Sequence, residues 1–132
     1  MITTRHSVIT AAICGVISLA LESPVPAHHS YVMFDMSKHA EISGTVRALE
    51  WVNPHVWLWV NANDEKGQPA VYAFEGTSPG EMNRRSAWTR TTVSFGDKVT
   101  VKYLPFKDSA KKGGRIVAVT LPDGRTLGAA SH

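Results

Sequence analysis

Residues 70–81, AVYAFEGTSPGE, decide the fold. Ala70 to Glu75 reads as a strand rich in β-branched, aromatic and small apolar residues. Gly76 and Thr77 break it, and Ser78-Pro79-Gly80-Glu81 comes next as a helix start with a physical reason behind each position. Ser78 can cap the first turn and Pro79 suits the first helical residue, whose N–H would be unpaired anyway. Glu81 stands three residues after the cap, as in a capping box. The helix is short and ends near Ala87.

Working outward, Glu41 to Val52 reads as a first strand, with Ile42, Val46 and Ala48 on one face. Leu49 and Trp51 then switch parity, which predicts a bend or bulge, with Gly44 as a candidate bend point. Asn53-Pro54 makes a turn, and His55 to Ala62 (HVWLWVNA) is a second strand, apolar on both faces and so expected to be covered on both. The loop Asn63 to Gly67 leads into the third strand. After the helix, Gly96-Asp97 turns into a fourth strand on which Val99, Val101 and Tyr103 alternate, Ile116 to Leu121 is a fifth, and Pro122-Asp123-Gly124 is a closing turn. Three strands, one helix and two strands predict an all-β fold with one short helix, a five-stranded Greek-key barrel of the OB type with the helix between strands 3 and 4.

The 132 residues suffice for one domain. At 43% hydrophobic and 19% charged the chain has a globular balance. A net charge of +3 and a pI near 9.2 are too mildly basic to announce a nucleic-acid binder. One cysteine excludes an internal disulfide and a cysteine-rich zinc knuckle. Residues 1–27 read as a cleaved secretory signal peptide: Arg5 near the start, an almost uncharged apolar run from Ser7 to Leu21, and Val25 and Ala27 as the small residues before a cut at His28. The run is shorter than the roughly 20 residues a bilayer span needs, so no permanent anchor is expected. Cys14 follows the branched Ile13, which argues against a lipoprotein signal. Residues 28–38 are then an amino-terminal arm, 39–127 the barrel and 128–132 a tail. The expected location is periplasmic or secreted.

The motifs carry a likeness. His28-His29-Ser30, Phe34-Asp35, Gly44-Thr45-Val46, Trp51-x-Asn53-Pro54-His55, Ser78-Pro79, Trp88-Thr89-Arg90, Gly96-Asp97-Lys98-Val99 and Leu121-x-Asp123-Gly124-Arg125 occur in that order. Together they resemble a family of small exported bacterial proteins classed as a domain of unknown function. The resemblance spans essentially the whole mature chain and implies export and a compact barrel, with no established activity. Ala87 departs from it, since the family has glycine before the tryptophan.

The histidines are the candidate chemistry. With His28 as first residue, its amine and ring nitrogen can chelate one metal, the amine losing its proton at modest cost near neutral pH. A third nitrogen completes a set suited to Cu(II), and His55, after the Asn53-Pro54 turn, is the natural donor. His28, His29 and His55 are therefore the candidate metal ligands and copper the candidate cofactor. Met33, Met36, Trp57 and Trp59 are either additional ligands and cation-facing rings or a hydrophobic cover, with Met33, Phe34 and Met36 packing over the tryptophans. His39 and His132 stand outside the motifs. Gly76-Thr77-Ser78-Pro79-Gly80 matches a nucleophile elbow, but Pro79 lacks the N–H an oxyanion hole needs, so Ser78 is a cap. Arg84, Arg85 and Arg90 form one basic cluster; Lys107, Lys111, Lys112 and Arg115 form another around a Gly113-Gly114 loop. Export disfavours nucleic acid as a partner. Asp35 and Glu75 are the carboxylates of interest. A metal-binding module is the first functional expectation, and an envelope module binding a protein or glycan partner is the alternative. An enzyme built on a copper brace ranks behind both.

Overall fold

The computed structural model describes residues 31–129. The candidate ligands His28 and His29, residues 1–27 expected as a signal peptide, and His132 lie outside the described residues. Strand β1 (Ala40–Glu50) is followed by β2 (Trp57–Asn63), β3 (Pro69–Glu75), helix α1 (Pro79–Ser86), β4 (Lys98–Pro105), β5 (Gly113–Thr120) and β6 (Thr126–Gly128). The sheet order is β3-β2-β1-β4-β5-β6, with every neighbouring pair antiparallel, and a parallel pairing of β3 with β5 closes the first five strands into a barrel. This is the OB-like barrel expected, with the helix between β3 and β4.

Closure rests on two glycines. Ala73 pairs with Gly113 and Phe74 with Gly114 along the seam. A Cβ on Gly113 would run into the Ala73 carbonyl oxygen, and Gly113 adopts a φ of 110° that disfavours any L side chain. A Cβ on Gly114 would strike the Leu104 carbonyl oxygen on the other flank. The Gly113-Gly114 pair is thus the start of β5, not a loop. The edge of β5 that meets β3 through residues 113–115 is taken further along by β6 through residues 118–120.

Alternation along the strands turns Val46, Leu58, Val60, Phe74, Val101 and Val119 inward. Phe74 meets Tyr103 edge-on at 4.9 Å between ring centroids. The bulge in β1 falls between Val46 and Ala48. Gly44 has a different job: a Cβ there would hit the Asn61 carbonyl oxygen on β2.

The helix closes one end of the barrel with Met82 and, just past its terminus, Trp88, both fully buried. Ser78 caps it in extended conformation, its side chain accepting the Glu81 N–H at 3.3 Å. Trp88 Nε1 donates to the Gly128 carbonyl at 3.0 Å, which anchors β6, the strand that patterning does not reveal. Helix α1 ends on Ala87 in the left-handed conformation at φ 56°. That conformation is the glycine's natural place, and an alanine there carries a steric cost. Ala87→Gly is therefore expected to stabilise the fold by about 0.5–1 kcal/mol in urea denaturation. Gly113→Ala is expected to cost about 2 kcal/mol or more in the same assay, because backbone cannot yield at the seam.

Candidate functional site: a buried polar line on the outer face of the barrel

The loop from 51 to 56 rejoins the sheet before β2 begins. Val56 N–H donates to the Thr77 carbonyl at 2.9 Å, and Gly76 N–H donates to the Val56 carbonyl at 2.8 Å. These bonds extend the β2–β3 ladder past both strands. With Val56, Leu58 and Val60 buried inside, strand alternation puts His55, Trp57 and Trp59 together on the outer face. Trp57 pairs with Glu75 across the ladder, which sets Glu75 diagonal to His55. His55 Nδ1 pairs with Glu75 Oε1 at 3.0 Å. The Glu75 side chain is 2% exposed and the His55 side chain 34%.

On its other side Glu75 pairs with Arg115 in the parallel seam. Arg115 is 6% exposed. Its guanidinium lies 4.5 Å from the Tyr31 ring centroid, and Nη2 donates to the Tyr31 hydroxyl at 3.2 Å. Tyr31 on Arg115 and His55 on Glu75 are thus two polar pairs set side by side by the backbone register of β3 and β5. Burying a carboxylate and a guanidinium on an outward position is costly unless each has partners. Two buried polar atoms beside these pairs, Thr77 Oγ1 and Trp59 Nε1, have no hydrogen-bond partner among the described residues. The Trp57 and Trp59 rings sit 6.3 Å apart.

The arm is held at further points. Phe34 is fully buried, stacks on Phe106 at 5.2 Å and forms a bridge with it. Asp35 N–H donates to the Pro105 carbonyl, and Lys107 N–H to the Met33 carbonyl. Met33 and Met36 remain 42% and 52% exposed, so the residue of this stretch that enters the packing is Phe34, against Phe106 and outside the main core cluster. His39 is exposed.

The remaining candidates separate. Asp35 is tied to Ser37 and Lys38 and does not meet Glu75. Arg84 and Arg85 both pair with Glu81. Among the described residues no group of three or more His, Cys, Asp or Glu is arranged to hold a metal by itself, and no helix is long and apolar enough to cross a membrane. Sequence reasoning does not single out Tyr31 or the buried Arg115 as site residues. The outward parity of Glu75 on a strand whose neighbours are apolar is the available signal for a covered charge.

Fold and site together define a small OB-like β-barrel domain with two neighbouring charged residues buried on its outer face. Residues 15–115 match a family of unknown function (DUF6152), and the chain belongs to that family. Among curated proteins and among solved structures nothing matches it.

Removing the buried Arg115 guanidinium takes away the group that the Tyr31 ring stacks on and that donates to its hydroxyl. Arg115→Met should therefore destabilise the domain by about 2 kcal/mol in urea melts. It should also speed proteolytic cleavage within residues 31–38. Tyr31→Phe, which keeps the ring over the guanidinium, should do far less by both measures.

Proposed function

We propose that this protein is an exported binding module that holds copper, with His55 Nε2 as one ligand and His28 and His29 as the others. The observation that carries the reading is the pairing of His55 Nδ1 with the nearly fully buried Glu75 carboxylate at 3.0 Å. A metal-bound imidazole characteristically gives its second ring nitrogen to a carboxylate, which fixes the tautomer and raises the basicity of the nitrogen on the metal. Here that partner takes Nδ1 and leaves Nε2 on a ring that is one-third exposed. Tyr31 on Arg115 adds support, because Arg115 is the strand neighbour of Glu75. His28 is only three residues before Tyr31, and that much chain spans at most about 10–11 Å. A leader ending at Ala27 would make the His28 amine a further nitrogen donor.

Trp57 and Trp59 support a second reading, an envelope module whose tryptophan pair docks a protein or glycan partner. They are adjacent outward rings on β2, a strand OB barrels use for ligands.

Intact-mass analysis of the exported protein with and without Cu(II) reports the amino terminus and the stoichiometry together. One copper per chain on a chain beginning at His28 is expected. His55→Ala should weaken binding more than about tenfold, and Glu75→Gln by about tenfold, the usual effect of losing an outer-shell carboxylate. An alanine inserted before His28 should weaken it too, and His39→Ala should not. Parental affinity in both His55→Ala and Glu75→Gln would rule out the copper reading and leave the docking module.

A further inference from the structure

At the end of the barrel away from α1, the 64–68 loop, the 106–112 loop and the arm at residues 35–38 surround a cavity of about 530 Å³. None of Tyr31, His55, Glu75 or Arg115 lines it. Its size is that of a site for a compact organic molecule.

Its chemistry is dominated by donors. Lys66, Lys107 and Lys111 reach it from two different loops, and none has a carboxylate partner among the described residues. Lys112 is held in place twice, 3.3 Å from Asp64 Oδ2 and 5.9 Å above the Tyr72 ring, and Lys111 sits 5.8 Å above Phe106. Tyr72 and Tyr103 form the floor. Their rings belong to the core cluster, and neither hydroxyl has a hydrogen-bond partner among the described residues. Burial, with Tyr72 and Glu65 nearby, pushes the Tyr103 phenol above its ordinary value of 10.0, so it stays a proton donor at neutral pH.

The carboxylates present do not cancel this. Asp64 is occupied by the backbone N–H groups of Gln68 and Lys66 and by Lys112, which hold it below the ordinary carboxylate value. Asp35 is likewise engaged by Ser37 and by Lys38. Glu65 is the one carboxylate of the lining with no such partner among the described residues. Lysines on one loop are ordinarily a solvated face. These differ in converging from separate loops on a concave floor of phenol donors.

We propose that this mouth of the barrel is a binding site for a small anion carrying two or more carboxylate or phosphate groups. Ammonium groups of Lys66, Lys107 and Lys111 would meet its charges, and the Tyr72 and Tyr103 hydroxyls would donate to its oxygens.

The test is an amide-resolved NMR titration of the protein with citrate and, separately, with pyrophosphate, at ionic strength held constant with sodium chloride. Saturable shifts centred on Tyr72, Tyr103 and residues 105–113 are expected with at least one of them; which anion gives them tells carboxylate from phosphate. The double variant Lys107→Ala/Lys111→Ala changes exposed residues and should keep the parental melt while weakening binding about tenfold or more. Tyr103→Phe should weaken it severalfold, and His55→Ala should leave it unchanged. Shifts that fail to saturate with both anions, or equal affinity in the lysine double variant, would overturn the site.

Discussion

The parallel seam between β3 and β5 is the constraint on which the rest of the structure depends. An open antiparallel sheet leaves two edges, and an OB barrel removes them only if β5 comes back against β3. That return needs two backbones closer than side chains allow, and Gly113 and Gly114 supply the space against Ala73 on one flank and Leu104 on the other. Once made, the seam fixes the positions of the residues on either side of it. Lys112, one residue before it, is left at the mouth of the barrel. Arg115, one residue after the glycine pair, is delivered to Glu75.

That delivery explains how two charges come to be buried on positions whose parity points outward. Glu75 pairs with His55 through the antiparallel ladder and takes Arg115 as its register neighbour through the parallel one. Neither partner is near it in sequence. Arg115 in turn carries Tyr31, so the arm is fastened to the barrel by a stack and a hydrogen bond at one point and by Phe34 on Phe106 at another. The arm is thus held over the buried Arg115, with Met33 and Met36 exposed.

The range of each interaction decides how legible it is in the sequence. The helix is legible, because Ser78, Pro79 and Glu81 carry their instruction within one turn and the Ser78 oxygen accepts the Glu81 N–H as that spacing requires. The alternation of β4 is legible too, because period-2 burial is local. Strand β6 is not. Its three residues, TLG, have no period to read, and it exists because Leu127 meets Val119 and Trp88 reaches Gly128 across 40 positions. Gly113-Gly114 reads as a loop for the same reason: glycine as turn and glycine as close approach are identical until the opposing strand is known. His55 and Glu75 each stand out separately, but the register that joins them is a property of the ladder and not of either residue.

The distribution of charge depends on the same closure. A net charge of +3 spread over a domain of this size would steer nothing in particular. In the fold it is unevenly placed. Arg84 and Arg85 of α1 are answered by Glu81, and Arg115 is withdrawn beneath Tyr31 next to Glu75. Lys66, Lys107 and Lys111 are answered by no carboxylate among the described residues and are gathered at the mouth, over phenols that contribute donors and no charge. Arg47, Arg90 and Lys98 are likewise answered by no carboxylate among the described residues but stand away from the mouth, and the three lysines gathered there form a positive rim. It lies on a different part of the barrel from the histidine that Glu75 orients, so the two faces of this small domain are chemically independent although a single pair of glycines positions both.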